Sequence, residues 1–422
     1  MEIYADVRTF GACGDGVAND TEAIQKAIDS GHVAYLPTGN YRSGTIYLRN
    51  HTGIVLGSGA ILVASPDATD YNTDNYCEQN RVITSELVSG RHLISAVGVE
   101  DILIGGEGVI DGCFSQWMSE PDESLGVTPP FFKRTPERLG QMIFLCECSK
   151  VRIRDVELTN APYWHCYLHG CEDVRISGVR IFANPGVINN DGIDIDSCRY
   201  VVISDCIIRT ADDCLTLRGL DEPLKKKRAC EYITVTNCIF SSSFANAIRI
   251  GVGGGSIRHA LFSNISISDS RTGICIVSRY WSEEIGVEIF DISFDHLQIH
   301  ARRPFNLKLD NYRTPEAPCT RGISDITFSN ITGSGELSIF LTGTLPGQLK
   351  NIRFVNVDFR YGGKGIAPDR DENGKWGCAS TDAVFELEHT TNVLFDHVVI
   401  RHENDNWVTD IRETECTDTI WR

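Results

Sequence analysis

Val151-Arg-Ile-Arg-Asp-Val156 alternates apolar and polar residues and closes on a polar–apolar pair, and this six-residue phrase returns throughout the chain. Later copies begin at Val174, Val201, Ile233, Ala260, Ile292, Ile326, Ile352 and Val393, at steps of 23, 27, 32, 27, 32, 34, 26 and 41 residues. Alternation of period two is the mark of a strand, and the uneven steps predict loops inserted at variable points of a repeating coil. The fifth position is usually Asp, Asn or His: Asp155, Asp205, Asn237, Asn264, His296, Asn330, Asn356 and His397. Stacked side chains of this kind can satisfy one another's amides as a ladder at a bend. A sandwich of short strands also favours Asn in its turns, but it would need hairpin signals between the copies.

A second series of short strands lies between the phrases: Cys166-Tyr-Leu-His-Gly170, Gly192-Ile-Asp-Ile-Asp196, Cys214-Leu-Thr-Leu-Arg218 and Ala247-Ile-Arg-Ile-Gly251. It continues at Ile274, Phe305, Ser338 and Val384. Two or three strands per turn without intervening helices describe an all-β parallel β-helix, in which each coil buries its inward residues against its neighbours. Helical periodicity is nearly confined to Asn19-Asp-Thr-Glu22-Ala-Ile-Gln-Lys-Ala-Ile28, where Asn19 and Glu22 resemble a capping box. Such a helix is expected to cover the exposed edge of the first coil. With no linker-like tract visible, residues 1–422 read as a single domain. The N-terminal cap and first coils take about 1–50, and the C-terminal coil and cap about 390–422.

At 422 residues and 42% hydrophobic content the chain can bury a large core. Its net charge of −18 argues against a nucleic-acid partner, which needs Lys and Arg to neutralise phosphates. No stretch reaches the ~18 apolar residues of a membrane span. Sixteen cysteines include no Cys-x-x-Cys pair, and many, such as Cys206, Cys238 and Cys275, sit inside strand-like runs as small hydrophobes. Together with a start, Met1-Glu2-Ile3-Tyr4-Ala5-Asp6, that lacks a signal-peptide pattern, this predicts reduced thiols in a cytoplasmic protein. Oligomeric state is not legible.

Aligning the second strand series on Ile193, Leu215, Ile248 and Ile274 puts Asp191, Asp213, Asn246 and Thr272 in one column, with Asp212 in the next. Adjacent strands lie ~4.8 Å apart, so Asp191 and Asp213 are expected to be near neighbours. Three clustered acids suit an inverting glycosidase, in which one acid protonates the leaving oxygen while another group activates water from the far side. Asp212 is then the acid, and Asp191 and Asp213 hold and deprotonate the water. A calcium site is a further use of three carboxylates.

At these residues the chain resembles glycoside hydrolase family 28, the polygalacturonase family, from about Val7 to about Glu388. Asn189-Asn-Asp191-Gly corresponds to the family's Asn-Thr-Asp-Gly, and Ala211-Asp212-Asp213 to its Gly-Asp-Asp. The entry segment Phe10-Gly-Ala-Cys-Gly-Asp15-Gly-Val-Ala-Asn-Asp20-Thr is also similar. The resemblance implies a right-handed parallel β-helix, catalytic Asp191, Asp212 and Asp213, inversion of configuration, and no cofactor or metal. Two motifs are missing. Gly-His-Gly aligns with Ala245-Asn246-Ala247, and Arg-Ile-Lys with Cys275-Ile276-Val277, which removes both cations that grip a galacturonate carboxylate. The expected substrate is therefore an oligosaccharide or polysaccharide whose recognised sugar is not ordinary galacturonic acid. Dextranase-type enzymes, which resemble this acid scheme but act on neutral glucans, offer a parallel.

Candidate substrate contacts are Asn246, Arg249, Arg279 and the aromatic or imidazole groups Tyr163, Trp164, His165 and Trp281. The insertion from Cys113 to Pro136 is expected to wall off one end of a groove, which favours exo action on terminal sugars. Two other classes remain open at this point: a polysaccharide lyase or epimerase, and a non-catalytic glycan-binding β-helix.

Overall fold

The computed structural model describes residues 4–80, 84–280, 285–310 and 319–422. The chain falls into two compact units. The first comprises Met1–Ser124, Pro130–Ala211 and Pro223–Lys226; the second comprises Leu125–Pro129, Asp212–Glu222 and Lys227–Arg422. Within each unit the strand ladders are parallel. Antiparallel contact among the described residues is limited to the single bridges Pro121–Phe132 and Ala367–Ser380.

The repeated phrase is one rung of these ladders. In the first unit Val151 pairs with Val174, and Val174 with Val201. In the second, Ile233, Ala260, Ile292, Ile326, Ile352 and Val393 follow one another rung by rung. The third position of the phrase is buried in every copy, and from Phe262 onward it becomes a column of stacked rings. Phe262, Phe294, Phe328, Phe354, Phe395 and Trp421 succeed one another with centroids 4.7, 5.0, 4.9, 5.2 and 4.6 Å apart. Rings repeating at the strand spacing bury their faces on one another, so each buried Phe contributes roughly 1.5–3 kcal/mol of transfer free energy.

The fifth position is a bend. All nine copies adopt a left-handed backbone there, from Asp155 at φ 61° and Gly178 at φ 65° to His397 at φ 53°. Asn, Asp and Gly tolerate that conformation best, which is why they recur. The residue before each phrase is left-handed as well, including Asp173 (φ 54°), Asp325 (φ 57°), Asn351 (φ 56°) and Asn392 (φ 54°). Each rung is thus bent at both ends. The amide ladder forms at both bends. Asn356 Nδ2 donates to Asn330 Oδ1 at 2.7 Å, and Asn392 Nδ2 to Asn351 Oδ1 at 2.8 Å.

The helix runs Thr21–Asp29 and buries Ala23, Ile24, Ala27 and Ile28. It begins later than a cap at Asn19 would set it, and the capping box does not form. The N-cap is Asp20, whose carboxylate accepts from the backbone N–H groups of Cys13 and Gly14 instead, while Glu22 pairs with Lys26 at 2.7 Å. The covering role is met by Gln25. Its amide accepts from Tyr47 N at 2.9 Å and donates to Tyr47 O at 3.0 Å, completing a strand edge with a side chain.

Candidate active site

In the first unit, Asn189-Asn190-Asp191 is pinned residue by residue. Asn189 Oδ1 accepts from Arg138 Nη2 at 3.1 Å, and Asn190 Oδ1 accepts from Ala211 N at 2.9 Å. Asn190 Nδ2 donates to Asn184 O at 2.7 Å. The Asp191 carbonyl accepts twice from His165, through backbone N and ring Nδ1, each at 2.9 Å. Asp191 itself is 3% exposed.

Arg138 is a further residue of this site that the sequence does not mark. This fully buried arginine donates to the carbonyls of Leu87, Pro162, Ile188 and Glu86 as well as to Asn189. Burial brings its pKa down to about 10. The guanidinium lies 4.9 Å from the Tyr163 ring centroid. No repeat or motif marks it, because its partners are backbone carbonyls brought together only by folding.

Tyr163 and Trp164 stack at 4.9 Å and pack into a cluster with Val88, Phe144, Tyr167 and Leu224. Tyr163 has no exposed surface and hydrogen-bonds Glu86, so it supports the loop around Asp191 rather than presenting a face to a sugar. His165 is equally buried, and desolvation lowers its pKa to about 4. A neutral ring with its proton on Nδ1, donated to the Asp191 carbonyl, positions that residue.

In the second unit, Asp212 Oδ1 accepts from Asp213 N at 3.1 Å, and the Asp212 carbonyl accepts from Ser242 Oγ at 2.7 Å. The two carboxylates bring oxygens within 4.8 Å of each other. Asn246 donates to Asp213 Oδ1 from its backbone N at 3.1 Å and from Nδ2 at 2.6 Å. The charges of Asp212 and Asp213 also act on Tyr280, whose hydroxyl is raised to about 12, chiefly by burial. Arg249 lies beneath that ring, 4.7 Å from its centroid, and is 3% exposed. Arg279 is engaged elsewhere: it forms a buried ion pair with Asp310. Trp281 lies outside the described residues. Of the insertion, Leu125–Pro129 belongs to the second unit, where Leu125 O accepts from Arg370 and Thr128 N donates to Asn373 O.

Residues 76–378 match the model of glycosyl hydrolases family 28, which is more than half of the chain. The chain belongs to glycosyl hydrolases family 28. Residues 4–102 also match a model described as rhamnogalacturonase A/epimerase, pectate lyase-like. Among curated relatives, a "Probable polygalacturonase" of Vitis vinifera is 28% identical over 233 residues, 52% of this chain and 45% of that protein. The chain thus spans about half that relative's length. Among solved structures, the family 28 exopolygalacturonase of Yersinia enterocolitica superposes with TM-score 0.74 at 18% identity, over 99% of this chain and 78% of that one. The exopolygalacturonase of Thermotoga maritima gives 0.68 at 21% identity, over 86% and 88%. At these identities the likeness fixes the fold, a right-handed parallel β-helix, and not the chemistry.

Proposed function

We propose that this family 28 chain is a glycosidase that cleaves an O-glycosidic bond with inversion, using Asp191, Asp212 and Asp213. The observation that carries the reading is a shared rung position. In the first unit Cys166 pairs with Ile193, so Asp191 stands two residues ahead of its paired strand residue. In the second, Leu215 pairs with Ile248 and Asp213 stands two residues ahead, bonded to Asn246 at the same position of the next rung. Each motif thus delivers its acid at the same position relative to its own paired strand. Asp212, on the adjacent position, then protonates the leaving oxygen. Asp191 and Asp213 hold the attacking water and take its proton as the C–O bond breaks.

Family membership and the two matching motifs support this assignment. The absent cations at Cys275 and Val277 support a recognised sugar other than ordinary galacturonate. The anchored Leu125–Pro129 segment supports a closed groove and exo action. Sixteen free thiols, with Cys166 and Cys171 among the buried ones, are in keeping with a reducing cytoplasm, where short imported oligosaccharides would be the substrate. The test is proton NMR of the first product released from plant or microbial oligosaccharides. An inverted anomer from the wild type, and no release by a correctly folded Asp212→Asn, are expected. A retained anomer, or an unsaturated product, overturns the mechanism.

A further inference from the structure

Cys275 occupies the place where the family pattern has an arginine, and its sulfur is a meeting point of two other side chains. Arg249 Nη1 lies 3.4 Å from Cys275 Sγ, and Asn306 Nδ2 lies 3.6 Å from the same atom. Strand register explains the convergence. Thr216 pairs with Arg249, Arg249 with Cys275 and Cys275 with Asn306, so the four form one column on successive rungs. A cysteine leaves most of an arginine's volume vacant. Arg249 reaches into that space from the rung before and Asn306 from the rung after. A guanidinium thus reaches this position from the preceding coil.

These groups are unusual in what they lack. Thr216 is fully buried, Arg249 is 3% exposed and Asn306 is 9% exposed. Among the described residues, Thr216 Oγ1, Arg249 Nη2 and Asn306 Oδ1 have no hydrogen-bond partner. Buried polar atoms are nearly always paired, and leaving one unpaired is costly, so three in a single column call for partners that the described residues do not supply. Asn246 Oδ1 is a fourth such atom, with its amide orientation set by the bond from Nδ2 to Asp213. Tyr280 connects the column to the acids, since its ring covers Arg249 and its hydroxyl feels both Asp212 and Asp213.

We propose that Thr216, Arg249 and Asn306 form a subsite that selects a neutral sugar through a pair of its hydroxyl groups. Arg249 Nη2 donates to one oxygen, Asn306 Oδ1 accepts from the other O–H, and the Thr216 hydroxyl completes whichever role remains. The mixture of open donors and acceptors decides between ligands. A carboxylate only accepts, so it would satisfy Arg249 but set negative oxygen against Asn306 Oδ1. With Nη1 turned to sulfur, the end-on fork that grips a carboxylate is also out of use. A hydroxyl both gives and takes, and a site built around one rejects analogues that leave its polar atoms unpaired.

This inference rests on the glycosidase reading and names the substrate class of its site. Its test is calorimetric binding to the Asp212→Asn protein. The probes are the methyl glycosides of galactose, glucose, xylose and rhamnose, with those of galacturonate and glucuronate as acidic counterparts. At least one neutral glycoside is expected to bind tenfold or more tightly than either uronate. Thr216→Val and Asn306→Leu, each nearly isosteric, are expected to weaken that binding at least fivefold while the circular dichroism spectrum is unchanged. Tighter binding of a uronate, unaltered affinity in both variants, or no binding by any probe overturns the subsite. Neutral-sugar binding without hydrolysis by the wild type would leave the subsite standing and remove the glycosidase reading; hydrolysis with a uronate preference would do the reverse.

Discussion

Asn246 directs both its backbone N–H and its side-chain Nδ2 at one oxygen of Asp213, at 3.1 and 2.6 Å. The residue that replaces the expected histidine has therefore become a clamp on a carboxylate. It fixes which Asp213 oxygen is occupied. Hydrogen bonds to charged groups are worth about 1.5–3 kcal/mol. Asn246→Ala should consequently lower kcat about 10- to 150-fold with little change in KM, measured by initial rates on a released sugar. A loss confined to KM would show that Asn246 only binds substrate.

Arg138 is expected to be the most sensitive single position of the first unit. Arg138→Met leaves several buried carbonyls and Asn189 Oδ1 without their donor, each at a cost of about 1–3 kcal/mol. A loss of about 3 kcal/mol or more by denaturant midpoint is predicted, with activity falling alongside. Arg138→Lys should not restore it, because a point charge cannot serve the same fan of acceptors.

Acidification should destabilise the fold before the carboxylates titrate. Burial lowers both His92 and His165 to about 4, against about 6.5 in an unfolded chain. Between those values the unfolded chain binds protons that the folded chain excludes. Stability is therefore complete above about pH 6.5 and declines as pH falls toward 4, by roughly 3 kcal/mol for each histidine. Denaturant titrations at pH 7 and pH 5 measure this. A flat profile would show that these imidazoles are protonated in the fold.

The ring column should carry much of the second unit's stability. Phe328 is fully buried between Phe294 and Phe354, with ring centroids at 5.0 and 4.9 Å. Phe328→Ala is expected to cost about 3–5 kcal/mol, and Phe328→Leu appreciably less. Equal losses would indicate that ring stacking, not buried volume, holds the column.

The coil was legible because it repeats. The alternation from Val151 to Val156 gives the strand, and a bend-tolerant residue such as Asp155 marks where it turns. The matching bend before each phrase was legible only in part: Asp173, Asp291, Asp325, Asn351 and Asn392 tolerate a left-handed backbone, whereas Lys150 and Tyr200 carry no such preference and are held there by the ladder on either side. The acids could be found by their spacing from a shared strand pattern. Arg138 could not, since its partners are carbonyls of distant loops. By residue type alone Tyr163 suits a sugar platform, and only packing reveals that it is enclosed. By charge alone Arg279 suits a substrate cation, and its partner Asp310, 31 residues on, becomes a neighbour only when the rungs stack.

Acids from two motifs are proposed to share one water, and a double-variant cycle measures their coupling. Asp191→Asn, Asp213→Asn and the double variant are compared for kcat on the same oligosaccharide, with folding checked by circular dichroism. Groups that hold one water together are strongly non-additive. The double variant should therefore be no slower than the worse single variant, within a few-fold. Losses that multiply in full, or an Asp191→Asn enzyme with undiminished kcat, would contradict the account.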